Sequence, residues 1–293
     1  MARRPQTVSV VLLLGVTAVW GWTFVLVKDA IETYPTIPFL GLRFLIAAAV
    51  MALVVRRLPG RRVLLVGTLI GLPLAGGYLL QTVGLRFTSP GNAGLITGLF
   101  FVFTPLLDRL FGTPIRVRTL VAVAVALAGT LLLTGGWQAG IRFGDVLIVG
   151  CAVCFALQIV LLSRWSPGFA AQELTLVQLA TCAVLFMLGG ATQLRAPSPS
   201  VWFALVITGV FASAVAFFIQ TWAQSHLAAS RTALVLASEP VWALLFSMAL
   251  AGQRLGAVQA LGAALVIAAI VGHELVLPAR RDAEAAAEGT NVR

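Results

Sequence analysis

The sequence predicts an all-α polytopic membrane protein whose ten transmembrane helices form two inverted five-helix repeats. Three observations lead to this prediction: an apolar composition, ten apolar runs of membrane-spanning length, and a nearly constant offset between the halves of the chain. Of the 293 residues, 60% are hydrophobic and 10% are charged, whereas roughly 25% are charged in a typical soluble domain. A soluble globule of this size could not bury so much apolar surface. The composition therefore excludes a soluble enzyme, a disordered chain and a disulfide-rich scaffold.

Ten apolar runs, separated by proline, glycine and charged residues, reach the ~20 residues that a transmembrane helix needs. The connections between them are short, which leaves little room for a domain outside the membrane. A polar segment, residues 278–293, follows the last run and is expected to be a flexible cytoplasmic tail. The predicted spans are Val8–Val27, Phe39–Val55, Val63–Gly84, Gly91–Phe111, Leu120–Gly135, Val146–Ser163, Phe169–Gly189, Val201–Trp222, Ser230–Ala251 and Gly256–Leu277.

Basic residues favour one orientation of these spans. The net charge is +10, but the arginines cluster between apolar runs without a nucleic-acid motif, so nucleic acid is not an expected partner. Ten spans place both termini on one side, which carries fourteen basic residues against five on the other. Short loops rich in Lys and Arg stay cytoplasmic, so we predict a multi-pass protein of the plasma or inner membrane with cytoplasmic termini. The first run resembles a signal peptide, but no small-residue cleavage site follows it, so we predict that it is retained.

An internal duplication divides the chain. An offset of 135 residues aligns the first two spans with the sixth and seventh, placing Trp20 on Phe155, and an offset of 139 places Gln81 on Gln220. The predicted repeats are residues 1–140 and 141–277. Because each repeat has an odd number of spans, the second starts on the opposite side of the membrane from the first. This inverted arrangement is a recurring plan of secondary transporters, whose substrate site lies between the repeats.

Several segments resemble a known family: Trp20–Phe24, Leu42–Phe44, Gly77–Leu85, Thr88–Gly94, Ala229–Leu234 and Ser238–Val241. They are similar to the EamA family of the drug/metabolite transporter superfamily, over nearly the whole chain. The resemblance implies ten helices around a central cavity and the export or exchange of small metabolites, without fixing the substrate. The family's common Gly-Glu-Arg after the ninth span reads Gly252-Gln-Arg254 here.

Two ionisable side chains lie inside predicted spans, where each costs ~2.5–3.5 kcal/mol. Arg43 lies near the end of the second span, so it either faces an internal cavity or extends back to the membrane surface. Glu239 lies near the middle of the ninth span, as a cavity residue or as a structural buried carboxyl. In a cavity, Glu239 would bind a cationic group or carry a proton, and Arg43 or Arg231 would balance its charge or receive a carboxylate. Pro240 lacks a backbone donor and is predicted to be a hinge.

Glutamines and aromatic side chains recur deep in the predicted spans. Tyr78 and Gln81 share one helix face, and Gln81 aligns with Gln220 in the repeat. Such side chains suit a cavity for a polar organic molecule, although hydrogen bonds that merely hold the bundle together also explain them. The predicted substrate cavity comprises Trp20, Thr23, Arg43, Tyr78, Gln81, Gln158, Gln178, Gln220 and Glu239.

These features predict a secondary transporter that moves small organic metabolites, amino-acid-like or drug-like, by alternating access, with export or exchange favoured over import. The sequence has no phosphate-binding loop, catalytic serine elbow or zinc-protease motif. We therefore expect no enzyme activity, metal or cofactor, while proton coupling stays open. Two alternatives also stay open: a structural or assembly membrane protein, and a membrane-embedded enzyme that acts on a lipid-linked substrate. The expected partners are a small-molecule substrate and the lipid bilayer, and the oligomeric state is undetermined, a monomer included.

Overall fold

The described part of the chain is helical. The structure is a computed structural model that describes the backbone of residues 3–55, 57–88, 90–134, 142–242, 245–246 and 256–290, and the side chains of 6–55, 57–88, 92–132, 142–242, 245–246 and 256–273. Within these ranges all regular structure is helical and no strand occurs. Helices suit a lipid environment because each satisfies its own backbone hydrogen bonds.

The helices of the first half correspond to the predicted spans 1 to 5. Span 4 is interrupted at Leu99, where the backbone tightens to a hydrogen bond from Leu99 N to Ile96 O (3.1 Å). Pro73 and Pro105 lie inside the helices of spans 3 and 4, and each removes one backbone donor. The helices are Arg3–Thr33 for span 1, Thr36–Val54 for span 2, Arg61–Gly84 for span 3, Pro90–Gly98 and Phe100–Leu110 for span 4, and Val117–Thr134 for span 5.

The second half contains two departures from simple α-helices. Span 8 is α-helical at both ends but π-helical over Ile207–Val215, and span 10 continues to Thr290, beyond the predicted end at Leu277. That extension is rich in Ala and Glu, which favour helix. The helices are Phe143–Trp165 for span 6, Ala171–Gly190 for span 7, Pro199–Val206 and Ala216–Gln224 for the α-helical ends of span 8, Ala229–Leu236 at the start of span 9, and Ala257–Thr290 for span 10.

The helices identify a multi-pass membrane protein. Seven of those described are long and apolar enough to cross a membrane, and they correspond to spans 1 to 4 and 6 to 8. Two further apolar helices, Val117–Leu132 and Ala257–His273, are shorter and correspond to spans 5 and 10. The predicted ninth span, Ser230–Ala251, lies partly outside the described residues.

The helices pack in a pattern that relates the two halves. Spans 2 and 7, spans 4 and 9, and spans 5 and 10 contact each other directly. The contact of span 3 with span 6 is matched by that of span 8 with span 1, and the contact of span 3 with span 7 is matched by that of span 8 with span 2. If each span is replaced by the corresponding span of the other half, five positions earlier or later in the chain, the same set of contacts results. A two-fold relation between the halves would produce this pattern.

Contacts between loops and helix ends define two ends of the bundle. At the terminal end, where span 1 starts, Arg231 Nη1 donates to Gln6 Oε1 (3.0 Å). At the opposite end, Lys28 Nζ near the end of span 1 donates to Leu85 O (2.7 Å), and Thr88 Oγ1 donates to Asp145 Oδ1 (2.7 Å). Asp145 lies in the first turn of span 6. The second half therefore starts at the opposite end of the bundle from the first.

Glycines allow span 3 to approach spans 6 and 7 closely. A Cβ at Gly71 would lie 2.8 Å from the Thr181 Cβ, and a Cβ at Gly77 would overlap the Phe155 ring. Small residues at such positions let transmembrane backbones approach each other. Gly77 thereby makes room for Phe155 at the centre of the bundle.

Candidate functional site

A cavity lies at the centre of the bundle, lined by spans 1 to 4, 6, 8 and 9. Its volume is about 60 Å³, room for a few water molecules. Small-molecule sites commonly occupy roughly 300–1,000 Å³, so the cavity is narrow in this state. Its lining residues are Trp20, Thr23, Phe24, Val27, Arg43, Tyr78, Gln81, Thr82, Leu85, Thr97, Phe100, Phe155, Gln158, Ile159, Phe217, Gln220, Leu236 and Glu239.

The structure brings together all but one of the residues predicted for the cavity. The exception is Gln178, which is fully buried and accepts a hydrogen bond at Oε1 from Gln158 Nε2 (3.2 Å). Gln178 therefore lies behind Gln158. Arg231, predicted to balance charge, is bonded to Gln6 at the terminal end and does not line the cavity.

Arg43 places a guanidinium group in this space. It is only 3% exposed, which excludes extension to the membrane surface. Its Nε donates to Ser213 Oγ (2.9 Å), its Nη2 donates to Tyr78 OH (3.3 Å), and its Cζ lies 4.6 Å from the centre of the Tyr78 ring. A guanidinium group has five N–H donors, so the remaining ones are left for a ligand.

The π-helical segment of span 8 accepts two hydrogen bonds from side chains of the first half of the chain. Ser213 accepts from Arg43, and the neighbouring Ala212 O accepts from Trp20 Nε1 (2.8 Å). Short π-helical segments are rare and frequently occur at functional sites. Sequence reasoning missed Ser213 because a serine in an apolar run carries no pattern of its own.

Glu239 places a carboxyl group in the same space, just after an interruption of span 9. The helix ends at Leu236, and Ser238 Oγ contacts Thr17 Oγ1 (2.9 Å). Pro240, the predicted hinge, follows this interruption. Among the described residues, no basic group lies within 4.0 Å of the Glu239 carboxyl and no carboxylate lies within 4.0 Å of Arg43. A guanidinium group and a carboxyl group therefore line one cavity without forming an ion pair.

Aromatic rings form much of the wall of the cavity. The Trp20 and Phe217 rings lie 5.6 Å apart, and the Tyr78 ring lies 5.3 Å from Phe155 and 6.0 Å from Phe217. Edge-on and tilted contacts of this kind are favourable. The wall is therefore apolar and suits a ring or an aliphatic side chain. In the described part of the chain, no group of three or more His, Cys, Asp or Glu side chains could hold a metal ion.

A group of glutamine side chains lies at the side of the cavity nearer the terminal end. Gln220 Nε2 donates to Gln158 Oε1 (3.1 Å) and to Gln224 Oε1 (2.9 Å). Gln224 Nε2 donates to Ile159 O (2.8 Å) and to Ser163 Oγ (2.6 Å). Gln81, the repeat partner of Gln220, donates instead to Thr97 Oγ1 (3.2 Å). The amides thus form one buried network rather than separate contacts.

Most of the lining consists of pairs related by the sequence repeat. The offset of 135 pairs Trp20, Thr23 and Phe24 with Phe155, Gln158 and Ile159. The offset of 139 pairs Tyr78, Gln81, Thr97 and Phe100 with Phe217, Gln220, Leu236 and Glu239. Applying the offset to each predicted residue would have found Phe155, Phe217 and Phe100, which sequence reasoning left out.

Comparison with known proteins agrees with this architecture. The model of the EamA-like transporter family matches residues 7–135 and again residues 142–273. An uncharacterized transporter of Archaeoglobus fulgidus is 31% identical over 260 residues, 87% of this chain and 82% of its own. The uncharacterized inner membrane transporter YedA of Escherichia coli K12 is 28% identical over 88% of each chain. The uncharacterized transporter YoaV of Bacillus subtilis is 23% identical over 92% of this chain and 97% of its own.

A solved crystal structure shares the fold. It has a TM-score of 0.73 over 92% of this chain and 97% of its own, at 22% sequence identity. Apolar helices around a central cavity, together with these relatives, identify a membrane transporter. The chain belongs to the EamA-like transporter family, and through it to the drug/metabolite transporter superfamily.

Proposed function

We propose that this protein is a secondary transporter of zwitterionic organic solutes, amino acids with an aromatic or aliphatic side chain foremost. The observation that carries the proposal is that the Arg43 guanidinium group and the Glu239 carboxyl group line one aromatic-walled cavity without pairing. A solute carboxylate would bind the guanidinium group. Its ammonium group would bind the Glu239 carboxylate and the aromatic faces, and its side chain would contact the apolar wall.

The proposed mechanism is alternating access between two inverted five-helix repeats, residues 1–140 and 141–277. Four observations support the repeats: the family model matches each half, the helix contacts exchange between halves, the second half starts at the opposite end, and the cavity lining is paired. Repeats of opposite orientation can exchange conformations, which gives inward-open and outward-open states of similar energy. Arg43 and Glu239 would then stay at the centre of the bundle while the cavity opens alternately to the two sides of the membrane.

The terminal end is proposed to face the cytoplasm of a plasma or inner membrane. The fourteen-to-five distribution of basic residues supports this orientation, and the relative YedA is named an inner membrane transporter. The tail, residues 278–293, would then also be cytoplasmic. Because the sequence carries no ATP-binding loop, a solute or proton gradient is the proposed driving force, and export or exchange is the proposed direction.

Counterflow in proteoliposomes tests this function. Vesicles that contain the purified protein are loaded with unlabelled phenylalanine, and entry of labelled phenylalanine is followed against protein-free vesicles. We expect accumulation that phenylalaninamide, which lacks the carboxylate, and 3-phenylpropionate, which lacks the amine, inhibit at least about tenfold less well. Each lacks one charged hydrogen bond, worth roughly 1.5–3 kcal/mol.

The zwitterion proposal is wrong if the three compounds compete equally, since the two charges then do not select the solute. Absence of counterflow for phenylalanine, while the protein stays folded and monodisperse, contradicts the aromatic amino acid as substrate. It would favour the alternative of a structural membrane protein if a wider panel of solutes also failed.

A further inference from the structure

The π-helical segment of span 8 holds two cavity residues of the other half. Ser213 Oγ accepts from Arg43 Nε (2.9 Å), and Ala212 O accepts from Trp20 Nε1 (2.8 Å). Ser213 is completely buried. Because Ser213 and Ala212 are consecutive, one irregular turn fixes side chains from both span 1 and span 2.

The repeat-related stretch of span 3 is built differently. The offset of 139 residues places Pro73 on Ala212 and Leu74 on Ser213, and span 3, which is described throughout, is α-helical there. The residue that corresponds to Arg43 is Gln178, an uncharged side chain. The serine and the π-helical turn therefore occur in span 8, which contacts Arg43. The repeat-related span 3, which contacts the helix of Gln178, has neither.

We propose that Ser213 is a positioning residue that orients Arg43 toward the solute carboxylate. By accepting from Nε, the hydroxyl group leaves Nη1 and the second N–H of Nη2 for the carboxylate, while Tyr78 supports Nη2 from the side. Two parallel N–H donors match the two oxygens of a carboxylate. This inference rests on the proposed function.

Replacing Ser213 with alanine tests it. Without the hydroxyl group the guanidinium group can rotate, so the KM for phenylalanine should rise about tenfold, the loss expected for one hydrogen bond to a charged group. The inhibition constant of phenylalaninamide, which offers Arg43 no carboxylate, should stay within about twofold. Ser213→Thr restores a hydroxyl group and should restore the KM for phenylalanine.

A matched control removes another hydroxyl group from the same segment. Thr208 is buried and bonds within its own helix, from Oγ1 to Ala204 O (2.7 Å), so Thr208→Val should leave both constants unchanged. The inference is overturned if Ser213→Ala changes both compounds equally or neither. Failure of wild-type protein to move phenylalanine would instead count against the proposed function.

A second inference rests on an asymmetry of the cavity. Val27, Arg43, Thr82 and Leu85 line it toward the opposite end of the bundle. The repeat offsets relate them to Leu162, Gln178, Thr221 and Gln224, which do not line it. The cavity therefore extends about one helical turn further toward the opposite end than toward the terminal end.

The terminal-side glutamine cluster occupies the place where the cavity would continue. We define it as Gln158, Gln178, Gln220 and Gln224 with Ser163. It joins spans 6, 7 and 8. Hydrogen bonds between amides in a dry bundle hold helices together, and each is weak enough to break and reform during a transport cycle.

We infer that this cluster is the gate that closes the terminal side in the state observed here. In the alternate state the cluster would separate and Leu162 would face the cavity, while Val27 would no longer line it. The inference deepens the proposed function, because it names the residues that alternate.

Cysteine accessibility tests the gate without any transport assay. In a background whose three native cysteines are replaced, Val27→Cys and Leu162→Cys are reacted with a membrane-impermeant maleimide from each side. Val27→Cys should react from the opposite side, and Leu162→Cys should react at least about tenfold more slowly from the terminal side. Adding Gln224→Ala, which removes bonds to Ile159 and Ser163, should raise the Leu162→Cys rate several-fold.

Three controls complete the experiment. Exposed cysteines at Arg57 and Ala196 report the terminal and the opposite side, and Thr104→Val removes a buried hydroxyl group outside the cluster. Thr104→Val should leave the Leu162→Cys rate unchanged. Rapid labelling of Leu162→Cys in the parent protein, or continued protection after Gln224→Ala, overturns the gate. Neither result bears on which solute the protein carries.

Discussion

Arg43→Gln is expected to lower kcat/KM for phenylalanine by roughly 10- to 100-fold and to abolish inhibition by 3-phenylpropionate. The guanidinium group is the basic group that lines the cavity in the described structure, and losing charged hydrogen bonds costs roughly 1.5–3 kcal/mol. Inhibition by phenylalaninamide should change little. Uptake and competition in proteoliposomes measure all three effects.

Arg43→Lys is the matched control for charge. Lysine keeps the positive charge but loses the planar fork and the Nε donor to Ser213, and the two residues are not interchangeable at such a site. We expect an intermediate KM for phenylalanine. Thermal unfolding in detergent establishes that each variant is folded. If Arg43→Gln is folded and transports phenylalanine like the wild type, Arg43 does not bind the carboxylate.

Glu239→Gln is expected to weaken recognition of the solute's ammonium group, as Arg43→Gln weakens recognition of its carboxylate. Glutamine keeps the shape of the side chain and removes its charge, so the bundle should still fold. The kcat/KM for phenylalanine should fall by roughly 10- to 100-fold, because the ammonium group loses a charged partner. Inhibition by 3-phenylpropionate, which has no amine, should be unaffected or improved. The same competition series in proteoliposomes provides the measurement.

A pH series separates binding by Glu239 from proton transfer by Glu239. If the carboxyl group only binds the amine, its protonation at low pH should raise the wild-type KM for phenylalanine, and neither protein should respond to an imposed pH gradient. If the carboxyl group carries a proton, the variant should lose its response to an imposed pH gradient. Identical expression, rate, selectivity and pH profile would make Glu239 structural, and the chemistry of the cavity would then lie with the glutamines and aromatic residues.

The sequence by itself determined the class of fold and singled out two ionisable residues, Arg43 and Glu239, that line the cavity in the structure. Apolar runs of spanning length predict transmembrane helices because hydrocarbon leaves the backbone no other way to satisfy its hydrogen bonds. Arg43 and Glu239 stood out because an ionisable side chain in a span is costly and must face polar surroundings. Gln81 and Gln220 stood out because the repeat places them at equivalent positions.

Only the tertiary structure decided which polar side chains reach the cavity. Gln158 lines it whereas Gln178 lies behind it, Arg231 bonds to Gln6 at the terminal end, and Ser213 holds Arg43. The reason is that a span that is apolar on all sides has no polar stripe to show which face points inward. Its rotation is set by neighbouring helices, and here by the close contacts that Gly71 and Gly77 allow and by the π-helical turn of span 8.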